Sequence, residues 1–323
     1  MKDIKALMND WLLPLAMVAG AGTYLLYHYI PALAPLGPIF KGFVTEGQRG
    51  VIAVLLFFQF VKTAPGDLRF CRWHLYAIIF QAIMFVGMGA SAYYTSEADL
   101  KILLECAMIC LICPTASAAG VITDKLGGRI AGTVTYLIII NATATLLIPT
   151  VIPMVRPSAE AGFWEYVFLL ARKIFPLLVG PCLLAWLIRY TLPKTHAFLY
   201  RHAGTSFPIW GVGLYLAILL ATKALVTSHI SVGMLICIAL VSLACCGLQF
   251  LFGRRIGRPD YTESLTAGQT LGQKNTGFLI WLGYSYMTPV TSIAGGFYAV
   301  WQNLVNSWEL YRHAHGGSST SSR

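Results

Sequence analysis

Towards the C-terminal end of the chain, Gly268 to Tyr284 reads GQTLGQKNTGFLIWLGY and sets Lys274 among Thr270, Gln273, Asn275 and Thr276. A lysine at mid-bilayer depth costs about 2.5–3.5 kcal/mol on insertion scales, so it needs a partner or a task. Its three N–H donors suit carbonyls freed at an unwound helix end, or the polar groups of Gln81, Gln273 and Thr270. A second interruption lies in CPTASAAGVIT, where Pro114 removes a backbone hydrogen bond and is followed by Thr115 and Ser117. Helices restarting near Thr115–Ala116 and Asn275–Thr276 would aim positive dipole ends at a cavity between them. Together with Lys274 these ends favour an anion, a carboxylate or sulfate, held by Thr115, Ser117, Asn275 and Thr276. Helix capping is the alternative role for Thr115, Ser117 and Asn275.

Other reactive side chains point elsewhere. Cys106, Cys110 and Cys113 share roughly one helical face, and soft thiolates could bind a metalloid. The competing reading is that they are small residues packing one helix on its neighbours. His28, His74 and His229 fall near the ends of apolar runs, where an interfacial position explains them. No nucleophile–base pairing, phosphate-binding glycine loop or metal-ligand spacing is present, which argues against an enzyme and against a resident cofactor or metal.

The elements that must position these residues are membrane spans. Apolar residues make up 57% of the 323 and charged residues 11%, too few charges to cover a soluble surface. Apolar runs long enough for a hydrocarbon core of about 30 Å recur from Trp11 to Trp308. The net charge of +10 is scattered at the ends of these runs rather than gathered in a stripe, which excludes nucleic acid as a partner. Most cysteines lie inside apolar runs, so no disulfide framework is expected. Membrane lipids are the expected surroundings.

The runs predict ten spans, near 11–31, 48–64, 73–93, 100–123, 130–153, 174–192, 207–226, 230–252, 262–285 and 289–309. The segment AGFWEYVFLLARK before the sixth reads as an interfacial helix, and HAHGGSSTSSR at the end as a disordered tail. Counted over the connecting segments, lysine and arginine split fifteen to seven, with Lys274 left inside the membrane. This bias predicts a multi-pass protein of the cell (inner) membrane with both termini in the cytoplasm. Five spans per half is the arithmetic of two inverted repeats, residues 1–153 and 154–312, with 313–323 as the tail. The two interrupted spans are then the fourth of each half. A matched pair of this kind points to a transporter's binding site.

In this order the parts resemble the bile acid:sodium symporter family over essentially the whole chain. The carriers are CPTASAAGVIT, GGRIAG and NATATLLIPTVIPMV, then LGQKNTGF followed by PVTSIAGGFYAVWQNLVNSW. The resemblance implies an all-α polytopic protein with a panel domain (spans 1, 2, 6 and 7) and a core domain (spans 3–5 and 8–10). It implies that broken spans 4 and 9 cross, and that an organic anion is carried by alternating access. Ion-site equivalents would be Gln81, Asn141, Thr145, Thr270, Gln273 and Lys274. Asn275 matches the family's asparagine.

The chain departs from that pattern at both ion sites. Thr270 stands where the family has an acidic residue and Lys274 where it has a glutamine. The family's serine–asparagine pair in span 4 corresponds either to Ser117-Ala118 or to Ala119-Gly120, and either way the asparagine is lost. Sodium needs several oxygen ligands, best with an anionic one among them. Exchanging a carboxylate for an ammonium inverts that logic. The expectation is therefore a sodium-independent transporter of a small organic anion, of the bile-acid, steroid-sulfate or carboxylate type, with proton coupling as an open alternative to sodium. Two other readings are metalloid efflux of the arsenite type and a non-transporting membrane regulator or sensor.

Overall fold

Backbone groups inside a bilayer must be satisfied within the protein, which leaves helices and closed barrels as spanning structures. The structure, a computed structural model, describes residues 2–203, 206–228 and 230–316 and is helical with no strand among them. The first part holds α1 (Lys2–Tyr29), α2 (Gly37–Val61), α3 (Arg72–Tyr94), α4 (Ala98–Ile112), α5 (Ala119–Lys125) and α6 (Ile130–Val155). There follow α7 (Phe163–Leu178), α8 (Gly180–Thr191), the short α9 (Pro193–Arg201) and α10 (Ser206–Thr227). The last part holds α11 (Val232–Ile256), α12 (Tyr261–Gly272), α13 (Thr276–Tyr286) and α14 (Pro289–Gly316).

Among the described residues four helices, α3, α6, α10 and α11, are each long and apolar enough to cross a membrane. The pair α7 and α8, bent by 42°, makes a fifth if taken as one span. Large apolar side chains such as Leu75, Ile83, Leu146, Leu187, Leu240 and Leu251 stand exposed on this surface, as lipid contact requires. This is a membrane protein.

Three expectations about element limits are corrected. The second helix begins at Gly37 rather than near residue 48, so the charged run lies inside it. Arg49 and Glu46 pair there at 2.6 Å, one turn apart, which makes the charges compatible with helix. AGFWEYVFLLARK is not a separate helix. It is continuous with α7 through Leu178, and the bend comes at Val179, between Pro176 and Gly180-Pro181. At the end of the chain α14 continues through His313 and His315 to Gly316, helped by Arg312 stacking 4.9 Å over Trp308. The rest of the expected tail, 317–323, and His229 lie outside the described residues.

Packing gathers the helices into two groups. α10 lies against both α1 and α2, and α2 also against α8, with Tyr24, Val44, Leu216, Leu219 and Leu220 forming a seam. α3, α4, α6, α11, α12 and α14 enclose a larger core around Phe85, Met108, Ile109, Ile148 and Trp281. α13 touches both groups, through α2 and α10 on one side and α14 and α4 on the other. Between α5 and α6 the chain reverses at Gly127, whose φ of +81° suits glycine.

Candidate functional site

α4 stops at Ile112 and α5 restarts only at Ala119, because Pro114 cannot donate to the preceding turn. α12 stops at Gly272 and α13 restarts at Thr276. The two unwound pieces lie against each other, antiparallel, with Thr115 opposite Lys274. The Asn275 N–H donates to the Pro114 carbonyl at 2.9 Å, and the Ala116 N–H donates to the Gln273 carbonyl at 3.0 Å. Each break thus satisfies backbone groups that the other leaves open, which is how unwound chain persists inside a membrane protein.

One side of this crossing is dry. Lys274 and Thr115 are fully buried, and the Lys274 N–H donates to Gln302 Oε1 at 2.8 Å. The Thr115 hydroxyl donates to the Thr270 carbonyl, and the Thr133 and Thr270 hydroxyls share a hydrogen bond, each at 2.8 Å. Tyr298 donates to the Gly272 carbonyl at 2.8 Å and accepts from Gln249 Nε2 at 3.0 Å. Gln273 donates to Gln269, and Gln269 to Glu309, which also accepts from Arg254 at 2.7 Å. Gln81 donates to the Leu111 carbonyl and accepts from the Tyr136 hydroxyl.

These bonds correct the expectation for the lysine head group. Gln81, Gln273 and Thr270 are engaged with other residues, and Lys274 Nζ has no hydrogen-bond partner among the described residues. The titratable groups it interacts with are the thiols of Cys113, Cys110, Cys246 and Cys245, with no carboxylate among them. A buried amine among thiols, with no carboxylate beside it, offers a sodium ion no anionic oxygen ligand. The side chains around Lys274 therefore do not fit a sodium ion.

The other side is open. Ala116, Ser117 and Ala118 at one break and Asn275, Thr276 and Gly277 at the other are partly exposed. α2 faces them with two glutamines. A Cβ on Gly277 would lie 2.6 Å from Gln48 Nε2, and one on Gly120 would lie 3.9 Å from Gln59 Nε2. Eleven residues are three helical turns, so Gln48 and Gln59 share one face of α2. Gln48 is buried, and its Oε1 has no partner. Neither glutamine stands out in the sequence: Gln48 reads as part of a ragged helix start and Gln59 as a lone polar residue in an apolar run. Their spacing was the available signal.

The expected residues therefore divide. Ser117, Asn275 and Thr276 reach the open side, whereas Thr115, expected with them, lies on the dry side beside Thr270. On α6, the Asn141 amide is buried without a partner, and the Thr145 hydroxyl returns to the Asn141 carbonyl at 2.7 Å. The dipole expectation holds in position for one break, since α13 begins at Thr276, and is corrected for the other. α5 begins at Ala119, has 7 residues and lacks a side-chain cap, and Asn275 spends its Oδ1 on the Phe278 N–H at 3.1 Å. The basic side chain at the crossing is that of Lys274.

Among the described residues no three His, Cys, Asp or Glu side chains converge to hold a metal ion. Compared with known proteins, the sequence matches no family model and no curated protein.

Proposed function

We propose that this chain is a secondary transporter of a small organic anion, a divergent relative of the bile acid:sodium symporters that works by alternating access without sodium. The observation that carries this reading is the antiparallel pairing of two helix breaks around a fully buried lysine. Spans 1–5 are α1, α2, α3, the broken α4–α5 and α6. Spans 6–10 are the bent α7–α8, α10, α11, the broken α12–α13 and α14. The breaks then fall fourth in each of two inverted repeats, residues 1–153 and 154–312, and the protein sits in the cell membrane with both termini in the cytoplasm.

The substrate anion rests on the open side, against Ser117, Asn275, Thr276 and the two glutamines of α2. Lys274 lies behind it in a medium of low dielectric, where its charge reaches through the crossing strands with little screening. The panel of α1, α2, α7–α8 and α10 moves against the crossing, and Gln48 and Gln59 lie at the sliding face. Sodium binding is replaced by a charge fixed to the chain.

The test is uptake into proteoliposomes of a bile acid, a steroid sulfate and an aliphatic carboxylate. Saturable uptake of one of them is expected; no saturable flux for any would favour a regulator and overturn the reading. Cysteine labelling of Lys125→Cys and Arg255→Cys from the cytoplasmic side, and of Lys101→Cys and Lys223→Cys from the other, checks the topology. Finding Lys125→Cys and Lys101→Cys on one side would end the ten-span arrangement.

A further inference from the structure

On the outer surface of the larger helix group, a groove of about 360 Å³ runs between the start of α3 and the end of α11. Tyr76, Ile79, Phe80, Ile83, Phe252 and Ile256 line it. Phe80 and Phe252 stack across its floor, with ring centroids 4.1 Å apart and planes at 21°. Tyr76, Ile79 and Ile83 stand exposed along its side. Apart from the Tyr76 hydroxyl and the thioether of Met84, which also lines it, the groove is hydrocarbon, and in a membrane protein such a groove faces acyl chains.

Both walls of the groove end in an arginine. On α3, Arg72 lies one turn before Tyr76 and two turns before Phe80, on the same stripe of the helix. On α11, Arg255 lies three residues beyond Phe252, one turn along the same side of the helix. The start of α3 and the end of α11 both adjoin the start of α12, Trp73 donating to Glu263 at 2.8 Å and Gly257 packing on Glu263 and Ser264, so Arg72 and Arg255 belong to the same end of the groove. Both arginines are exposed, and neither has an ion-pair partner among the described residues. The acidic groups near that end are engaged, Asp260 and Glu263 with Arg129 and Glu309 with Arg254.

We infer that this groove is a specific site for an anionic phospholipid, its phosphate between Arg72 and Arg255 and an acyl chain over the Phe80–Phe252 pair. Guanidinium forks match phosphate oxygens bidentately, and basic pockets between helices at a membrane face take anionic head groups. The lengths agree. Arg72 to Phe80 is eight residues, about 12 Å along the helix, within the roughly 15 Å that one leaflet's chains span. A zwitterionic lipid would fill the apolar floor equally well but would add a choline or ethanolamine cation next to the two arginines. Selectivity therefore resides in the arginines and general occupancy in the aromatic floor. The inference is independent of the transport reading, because it rests on a surface away from the helix crossing.

Native mass spectrometry of the purified full chain tests it, with phosphatidylglycerol and phosphatidylcholine of identical acyl chains offered in equal amounts. The unmodified protein should retain phosphatidylglycerol at least about tenfold over phosphatidylcholine. Arg72→Gln with Arg255→Gln should bring the two lipids to parity, and Phe252→Ala should lower retention of both. Arg258→Gln, an exposed arginine off the groove stripe, should leave the preference intact and serves as the control for general charge and folding. Equal retention by the unmodified protein would mean an unselective lipid annulus only and overturn the site. So would full selectivity in the double variant, or an equal loss in Arg258→Gln.

Discussion

The two helix breaks meet at Thr115 and Lys274, yet they are built on different principles. The α4–α5 break is six residues long, 113 to 118, made by a proline and small residues and left without a side-chain cap. The α12–α13 break is three residues long, 273 to 275, wholly polar, and closed by the Asn275 cap. The first unwinds because its backbone cannot continue; the second unwinds because its side chains offer something in exchange. Hence the proline break supplies shape and backbone groups that pair with the other break, and the polar break supplies the lysine. The helices leading into the breaks are also anchored differently. On α4, Glu105 is fully buried and gripped by Arg156 at 2.7 and 3.1 Å, with the Thr291 hydroxyl at 3.4 Å. On α12, Gln269 reaches Glu309, and the arginine pairs with that carboxylate one step removed from the helix.

This difference predicts unequal costs. Arg156→Ala strands a buried carboxylate on α4 and should destabilise the protein by about 3 kcal/mol, the low end for a broken buried pair because Arg156 itself is partly exposed. Arg254→Ala leaves Glu309 bonded to Gln269 and should cost less than half of that. Thermal unfolding in detergent measures both, and equal costs would remove the asymmetry between the anchors.

A smaller effect separates the two sides of the crossing. Thr115→Val removes the donor to the buried Thr270 carbonyl and should cost about 1–2 kcal/mol of stability. Because Thr115 faces the dry side, the KM of the residual transport should stay within about twofold, a shift below 0.5 kcal/mol. Ser117→Ala should do the reverse, leaving stability unchanged and raising KM. A KM change confined to Thr115→Val would mean that the open and dry sides have been exchanged. The smallest effect is expected for Cys110→Ala, which trims one buried thiol and should cost about 1 kcal/mol or less with transport retained. Loss of transport in that variant would return the thiols to the site.

The sequence carries the helical membrane class and the location of both interruptions, because these depend on local properties. Apolar length shows a span, Pro114 stops a helix wherever it sits, and the Gly272–Asn275 run is too polar to be wound through lipid unaided. What could not be read depends on partners distant in the chain. Thr115 falls on the dry side because Thr270, 155 residues away, accepts its hydroxyl. The neighbours of Lys274 are thiols of α4 and α11, whereas composition alone pointed to the adjacent Gln273 and Thr270. Gln48 and Gln59 matter only once α2 is laid against Gly277 and Gly120. The helix limits moved for local reasons instead: the Glu46–Arg49 pair lets α2 begin early, and the bend at Val179 joins the expected interfacial segment to its span.

Under the proposed function the Lys274 ammonium supplies permanently a positive charge that a coupled sodium ion would otherwise bring to the site. Anion uptake into proteoliposomes, compared between sodium and choline buffers for the unmodified protein and for Lys274→Ala, tests it most directly. Equal uptake by the unmodified protein in both buffers, with Lys274→Ala inactive in both while still folded by thermal unfolding, is the predicted result. Uptake that requires sodium in the unmodified protein, together with full activity of Lys274→Ala, would contradict it.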